Sequence, residues 1–269
     1  MPAETDWQQV GEGIWTRRYR PYAVNITAID VGGAFVLVDT RGSMTQGREL
    51  AADVGSLAAQ PVLAVINTHE HFDHTFGNAA FDVPRWGHVR CAENLKSSGE
   101  QQRAAAESWV PEEAHDELEE SPIVPPDQTF EDEATLDVGD REVKLRYLGR
   151  GHTDNDIVVL VEDSDVVIAG DLVEEGAPPS YGDAYPLAWP DTVAKMLELV
   201  TGPVVPGHGE IVDEPFVRQQ QRELAGVAVM VRKHLEEGAP LSAISEGGPY
   251  PADVMELAIE RARLEKAGR

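Results

Sequence analysis

The sequence has little cysteine and little basic charge. Cys91 is the only cysteine among 269 residues, so no disulfide can form within the chain, and we expect a reducing, cytoplasmic location. Lysine and arginine number 22 against 48 aspartates and glutamates, which gives a net charge of −26. Binding to a nucleic-acid backbone depends on cationic side chains, so we expect no nucleic-acid partner. The same acidity would repel an anionic membrane surface.

Long apolar runs are missing as well. No stretch approaches the roughly 20 apolar residues that cross a bilayer, and residues 1–10 lack the basic start and apolar core of a secretion signal. We therefore expect no membrane partner. The length suits one large α/β core, and no change in composition marks a second domain, so we expect a single domain over 1–269. Apolar residues at helical spacing predict two C-terminal helices, at 214–238 and 252–267, that pack on it.

What the sequence does contain is a dense cluster of metal-binding side chains. His69, His71, Asp73 and His74 directly follow the apolar run at 62–66. Imidazole and carboxylate are the ligands that a zinc-type ion prefers. In an extended segment, residues two apart point the same way, so three of these side chains share one side and His74 points differently. The cluster therefore predicts a site for two adjacent ions, and the alternative is a solvated, histidine-rich loop.

Three further predicted strands end in the same kind of side chain. These strands are predicted at 143–148, 166–169 and 204–207. At the end of each strand or just after it, a glycine directly precedes the candidate ligand, which is His152, Asp171 or His208 in turn. A strand end followed by a glycine turn is the usual location for sites on open α/β sheets. Five of the eight histidines fall at the proposed ligand positions, and this concentration argues against a chance arrangement.

Together these segments resemble the signature of the metallo-β-lactamase-fold hydrolases. The resemblance is carried by residues 68–74, 151–153, 170–171 and 206–209. It implies an α/β fold with four layers, an αββα sandwich in which two mixed β-sheets lie between helices. It also implies a shallow cleft at one edge that holds two divalent metal ions, with zinc as the expected metal and iron or manganese as alternatives.

The resemblance also assigns a role to each residue of the site. One ion would be held by His69, His71 and His152, the other by Asp73, His74 and His208, and Asp171 would bridge them. Three neutral imidazoles leave a divalent ion Lewis acidic with an open position, where bound water loses its proton near neutral pH. We therefore expect a bridging hydroxide to cleave an ester, thioester, lactone or related bond in a small molecule, with Asp73 as the catalytic residue that orients it.

The ligand set narrows the branch of this family. True zinc β-lactamases are typically exported and carry a cysteine or serine near the position of Asp171, so we expect a glyoxalase-type or general hydrolase instead. A glutathione-thioester hydrolase would offer basic residues in the C-terminal helical region. Here Arg218, Arg222, Arg232 and Lys233 are offset by neighbouring glutamates, so the substrate stays open.

Two other functions would use the same residues. A mononuclear iron enzyme of the persulfide-dioxygenase type needs only a subset of these ligands, but it would leave His74 and His208 without a role. A non-catalytic metal-binding regulator is the third possibility, and an intact ligand set is poor support for it. The sequence does not predict an oligomeric state.

Asp39 and His88 are weaker candidates. Asp39 closes the predicted strand at 34–38, where it could accept a hydrogen bond from a ligand histidine or simply open a turn. His88 could line the substrate pocket, although a partly buried structural histidine is the alternative.

Loops must supply the other substrate contacts. Tyr181, Tyr185 and Trp189 lie in the proline- and glycine-rich loop 174–190 and are the candidate contacts, unless their rings pack on the body of the protein. That loop, or the acidic segment 92–120, could act as a lid. For the acidic segment, a solvated insertion is the alternative.

Overall fold

The structure, a computed structural model, describes residues 5–238 and 247–268, which form twelve strands and seven α-helices. The strands are β1 (Gln8–Gly11), β2 (Ile14–Tyr19), β3 (Val24–Asp30), β4 (Phe35–Val38), β5 (Val62–Ile66), β6 (Arg85–His88), β7 (Gln128–Phe130), β8 (Glu133–Val138), β9 (Arg141–Tyr147), β10 (Ile157–Val161), β11 (Val167–Glu174) and β12 (Val204–His208). The helices are α1 (Met44–Leu57), α2 (Phe72–Thr75), α3 (Val89–Ala106), α4 (His115–Glu120), α5 (Trp189–Leu197), α6 (Glu214–Glu237) and α7 (Ala252–Lys266).

The strands form two mixed sheets that meet at one point. The first sheet has the order β1-β2-β3-β4-β5-β6-β7, with antiparallel pairs up to β4 and parallel pairs beyond it. The second has the order β12-β11-β10-β9-β8, in which only β11 and β12 are parallel. A single pairing, His208 with Val24, joins them. This junction lies beside one of the predicted metal ligands.

Because side chains alternate between the two faces of each sheet, the protein has an inner apolar core between the sheets and two outer cores beneath the helices. In β4, Val36 and Val38 face the second sheet, whereas Phe35 and Leu37 face α1. The inner core is completed by residues of the second sheet, among them Val143, Leu145, Val159 and Ile168. On the outer face of that sheet, α5, α6 and α7 cover a third cluster. These layers are helix, sheet, sheet and helix, so the predicted four-layer sandwich is confirmed.

The two C-terminal helices begin and end close to the predicted positions. Asp213 caps α6 by accepting a hydrogen bond from the backbone N–H of Phe216, and Gly238 ends the helix in the left-handed conformation. Buried residues of α6, such as Leu224 and Val231, lie in one cluster with Met255 and others of α7. Both helices therefore pack on the second sheet.

The acidic segment 92–120 belongs to a small helical layer of its own. Helices α3 and α4 enclose a cluster that includes Cys91, Leu95 and Leu118, together with Phe76 from the turn after α2. None of the helices in 5–238 and 247–268 combines the length and the apolar character needed to cross a bilayer.

Candidate metal centre

The predicted ligands converge from four parts of the fold. Those at 69–74 follow β5, with His69 and His71 in the connecting loop and the other two in α2. His152 lies between β9 and β10, and His208 is the last residue of β12. The structure thus brings together all seven residues proposed as ligands from the sequence.

The position of Asp171 differs in detail from the expectation. The predicted strand at 166–169 ends before Asp171, but β11 continues through it to Glu174. Gly170 has a φ of 53°, and the pairing of β11 with β12 shifts register on both sides of it. The glycine therefore makes an irregularity within the strand, and this irregularity turns Asp171 toward the histidines.

One group of side chains contains His69, His71, His152 and Asp171, with candidate ligand atoms within 4.8 Å of one another. Nε2 of His152 lies 2.8 Å from Nδ1 of His71. Oδ2 of Asp171 lies 3.4 Å from Nε2 of His152 and 3.9 Å from Nε2 of His69. Three imidazoles and one carboxylate make a suitable set for a single zinc-type ion.

The second group contains Asp73, His74 and His208. The Nε2 atoms of the two histidines are 3.3 Å apart. Oδ2 of Asp73 lies 3.4 Å from Nε2 of His208 and 3.8 Å from Nε2 of His74. This set can hold a second ion with one charge-balancing carboxylate.

Asp171 lies between the two groups. Besides its contacts to the first, Oδ1 lies 3.3 Å from Nε2 of His74, and Oδ2 lies 3.3 Å from Nε2 of His208. Gly207 packs directly against this carboxylate, because a Cβ at that position would collide with Oδ1. Only a glycine at 207 leaves room for a carboxylate that reaches both groups.

The outward-facing nitrogens of three ligands have clear acceptors. Nδ1 of His74 donates to Oδ2 of Asp39 over 2.8 Å, and Nδ1 of His208 donates to the backbone carbonyl of Tyr22 over 2.8 Å. Nε2 of His71 donates to Oδ2 of Asp183 over 3.0 Å. These bonds fix the proton on the outer nitrogen, so the inner nitrogen carries the lone pair that binds a metal.

The other two histidines differ from each other. The hydroxyl of Thr68 donates to Asp39 over 2.8 Å, and it can therefore accept from Nδ1 of His69, 3.1 Å away. Nδ1 of His152 has no hydrogen-bond partner among the described residues and lies 3.5 Å from Oε1 of Glu174. Asp39 thus lies within hydrogen-bond distance of a candidate ligand histidine, as one of its two sequence interpretations proposed. The sequence analysis did not predict that Thr68, Glu174 and Asp183 lie next to ligand histidines, because nothing in their spacing indicates it.

Several buried atoms at this centre need a positive charge between them. Nε2 of His69 and Oδ1 of Asp171 have no hydrogen-bond partner within the described residues. With protons held on the outer nitrogens of His74 and His208, the inner lone pairs of this pair face each other over 3.3 Å. Such pairs repel unless a cation or proton lies between them. The donor set and its geometry therefore fit two divalent ions.

The pKa values at the centre reflect a competition between burial and the nearby carboxylates. At His71 burial lowers the pKa, but the carboxylates around it, Asp183 first among them, outweigh burial and raise the pKa to about 10. Burial lowers the pKa of His69 well below its usual value and that of His152 to about 4, which favours neutral, ligand-competent imidazoles. Burial acts the same way on His208, but the carboxylates of Asp171 and Asp73 outweigh it and raise its pKa to about 9. The carboxylates thus favour positive charge at this point, which either protons or metal ions can supply.

Residues 19–208 match the family model described as the metallo-β-lactamase superfamily. The chain belongs to this superfamily. Its members are metal-dependent hydrolases, and here the structure provides a potential metal site.

Comparisons with individual members of the superfamily give moderate similarity. The type 2 metallo-β-lactamase of Bacteroides fragilis is 29% identical over 133 residues, which span 48% of this chain and 52% of that protein. The type 2 enzyme of Bacillus sp. (strain 170) is 27% identical over 220 residues, or 77% of each chain. The chain thus spans about half of the first relative and three quarters of the second.

Solved structures of the superfamily share the fold. A metallo-β-lactamase from Pontibacter korlensis superposes with a TM-score of 0.65 at 21% identity, covering 82% of this chain and 98% of its own. A metallo-β-lactamase from Pseudomonas aeruginosa, solved in a mono-zinc form, gives a TM-score of 0.67 at 16% identity. The superposition covers 84% of this chain and 96% of the Pseudomonas chain. At these identities the likeness concerns the fold alone.

The metal centre of this superfamily member opens into a cleft of about 640 Å³. The cleft is bordered on one side by Asp73, Asp171 and the histidines, and on the other by apolar side chains, among them Pro21, Tyr22, Phe72, Ala105 and Trp109. Trp109 is 76% exposed. It lies just after α3, so the acidic segment 92–120 forms a wall of the cleft. The sequence interpretation of that segment as a solvated insertion or a lid did not single out this tryptophan.

The aromatic residues proposed as substrate contacts do not line the metal cleft itself, although Tyr181 lines the groove next to it. Trp189 is fully buried, with its indole N–H donating to the carbonyl of Leu172, and Tyr181 is buried against it. Both belong to the core cluster under α5 and α6. Tyr185 is half-buried beneath Arg150. None of the three lines the metal cleft, although Ser180, Gly182 and Asp183 of the same loop do.

His88 is likewise a core residue. It is 2% exposed and stacks on Tyr147 with ring centroids 4.3 Å apart, while its Nδ1 accepts from the backbone N–H of Arg90. It does not line the cleft, so the alternative of a buried structural histidine is the one that the structure supports.

Proposed function

We propose that the protein is a dinuclear metal-dependent hydrolase, with zinc as the expected metal, that cleaves an ester, thioester or lactone bond in a small molecule. The observation that supports this most directly is the position of Asp171. Its two carboxylate oxygens contact histidines of both groups at 3.3 to 3.4 Å, as a ligand shared by two ions would. Membership of a superfamily of metal-dependent hydrolases agrees with it.

Two divalent ions bound here would supply Lewis acidity and water that ionises near neutral pH. The protein's own residues divide the remaining work. Four of the five imidazoles, those of His69, His71, His74 and His208, are oriented by outer hydrogen bonds, which limits reorganisation when an ion binds. Asp73 lies on the cleft wall, where a carboxylate oxygen can accept a hydrogen bond from attacking water and fix its direction. No serine or cysteine nucleophile is needed.

The relatives' names raise β-lactams as substrates, and we propose that these are not the main ones. Aspartate stands at 171 where the resemblance to zinc β-lactamases leads us to expect cysteine or serine. The lining residues of the cleft, within the described part of the chain, also include no lysine or arginine. The carboxylate that β-lactam antibiotics carry would therefore lack a cationic side chain to pair with.

The test combines metal analysis with a substrate panel on one preparation. We expect about two zinc ions per chain, turnover of at least one ester, thioester or lactone, and its loss on chelation and return on zinc addition. A phosphodiester and a chromogenic cephalosporin complete the panel. Preferential cephalosporin turnover would overturn the proposed substrate class, although not the hydrolase.

The oxidative alternative makes the opposite prediction in the same sample. A mononuclear iron enzyme would contain one iron per chain and consume oxygen when a persulfide is added. It would also leave Asp73, His74 and His208 as an intact but unused ligand group. Iron content with persulfide-dependent oxygen uptake, and no hydrolysis, would refute the proposed function.

A further inference from the structure

The metal cleft continues into a second groove. This groove, of about 450 Å³, shares six lining residues with the cleft, namely Tyr22, Ala23, Trp109, Glu174, Ser180 and His208. It then runs past Pro178 and Pro179 to Val254 and Leu257 on α7. A ligand whose reacting group lies at the metal centre can therefore extend along one continuous channel to the C-terminal helix.

The channel is bordered by exposed apolar side chains. Trp109 is 76% exposed and lies where the cleft and the groove meet, and Leu257, at the far end, is 38% exposed. A single exposed apolar residue is ordinary on a protein surface. Here two of them border the same groove, together with a pair of prolines. An apolar chain placed in this groove would remove these surfaces from water, which is favourable.

Away from the metal centre, the side chains of the channel disfavour an anionic tail. Neither its cleft nor its groove is lined by a lysine or arginine among the described residues, whereas Asp183 and Glu175 contribute carboxylates and Glu174 contributes a carboxyl group whose burial raises its pKa to about 8. The nearby Arg261 does not line the channel, and its guanidinium donates to the backbone carbonyls of Asp183 and Ala184. A negatively charged tail would meet like charge here, in a chain whose net charge is −26.

We propose that this channel binds the apolar chain of an uncharged ligand, and that the substrate is consequently an uncharged ester or lactone carrying an alkyl or acyl chain. The substrate assignment rests on the proposed hydrolase function. In the reaction, water adds across the acyl C–O bond: its oxygen joins the acyl carbon, and the leaving alkoxide takes up a proton to become an alcohol. For a lactone the same step opens the ring.

The first experiment measures kcat/KM for p-nitrophenyl esters from acetate to decanoate. Burial of each methylene predicts a rise of between about two- and fourfold in kcat/KM per added carbon. Trp109→Ala and Leu257→Lys should flatten this dependence. Leu264→Lys is the matched control, because Leu264 lies two turns further along α7, is 37% exposed and lines neither cleft nor groove. Equal slopes in all four proteins would overturn the proposal.

A second experiment tests whether a negative charge on the substrate chain lowers turnover. Two esters with the same chain are compared, one ending in a free carboxylate and the other in its methyl ester. We expect kcat/KM to favour the uncharged form by at least about tenfold at low ionic strength, with the difference shrinking as salt is added. Equal or better turnover of the carboxylate form would contradict the charge argument.

Calorimetric binding of uncharged, unreactive amides separates this proposal from the proposed function. Decanamide should bind the zinc-loaded protein more tightly than butanamide, and Leu257→Lys should remove the difference while Leu264→Lys keeps it. If the amides behave so and no ester or lactone is hydrolysed, the channel stands and the hydrolase proposal fails. If esters are hydrolysed without regard to chain length and decanamide gains nothing over butanamide, the channel proposal fails and the hydrolase stands.

Discussion

Asp39 and His74 are joined by a buried hydrogen bond of 2.8 Å that connects a strand end to the metal centre. The same carboxylate accepts from the backbone N–H and the hydroxyl of Thr68, and that hydroxyl lies next to Nδ1 of His69. Asp39 adopts a φ of 66°, a left-handed conformation that few residues other than glycine adopt. A turn at the end of β4 thus directs one carboxylate to ligands of both groups.

Replacing Asp39 by alanine should weaken metal binding without removing a ligand. His74 would lose its orienting acceptor, and such losses lower metal affinity by about 10- to 100-fold. The buried Thr68 donors would also be left unpaired, which costs about 1–3 kcal/mol of unfolding free energy. Zinc affinity is measured by competition with a chelator, and stability by urea unfolding. Unchanged affinity in the variant would show that His74 does not need this bond.

The sequence predicted the convergence of the candidate ligands better than the contacts that support them. Histidines and aspartates concentrated at strand ends are typical of metal sites, so their types and positions were enough to propose the seven side chains that the structure brings together. Asp39 had two interpretations of equal weight, because the choice depends on a contact with His74 that lies 35 residues along the chain. Glu174 and Asp183 gave no signal at all, since any acidic residue in a long loop is expected to be solvated.

His208→Ala should remove one ion selectively. His208 belongs to the second candidate group and not to the first, and its Nδ1 bond to the carbonyl of Tyr22 fixes its direction. We expect the zinc content to fall from about two to about one per chain, measured by elemental mass spectrometry after dialysis. His234→Ala, a histidine on α6 outside the site, is the control and should keep both ions. A content that stays at two in His208→Ala would contradict the assignment of this ligand.

Asp73→Ala should abolish hydrolysis while the fold persists. The side chain lies on the cleft wall, its oxygen contacts the candidate ligands His74 and His208, and it belongs to none of the apolar clusters among the described residues. Loss of an orienting carboxylate is expected to lower kcat by at least about 100-fold. Steady-state kinetics measure this, with circular dichroism and thermal unfolding as checks on the fold. Full turnover in the variant would show that the dinuclear mechanism is wrong.

Aromatic residues were harder to place than polar ones. Trp189 and Tyr181 lie in a loop that a sequence shows to be long and proline-rich, but whether a ring in such a loop faces solvent or the core is decided by packing. Trp189 begins α5 and packs in the same buried cluster as residues of α6. Trp109 lies in an acidic segment and lines the cleft. Likewise, Gly170 suggested the end of a strand, whereas β11 continues past it through a change of register.

Asp156 supports the turn that carries His152. Its carboxylate accepts from the backbone N–H and the hydroxyl of Thr153, both over 2.8 Å, and it is 2% exposed. Burial raises its pKa to about 8, against the opposing effect of these two hydrogen bonds. The charged groups that also act on it are Glu70, which raises the pKa, and His71, which lowers it.

This raised pKa predicts a pH dependence of stability that asparagine should abolish. Because the folded state holds the proton more tightly than the unfolded chain, the stabilisation is complete below the unfolded pKa of 3.8 and is lost as the pH rises through about 8. Asp156→Asn resembles the protonated acid and does not titrate. Between about pH 6 and pH 9, with zinc saturating, the melting temperature of the variant should therefore rise relative to that of the wild type. A difference in melting temperature that stays constant over this range would mean that Asp156 is already ionised in the folded protein at pH 6.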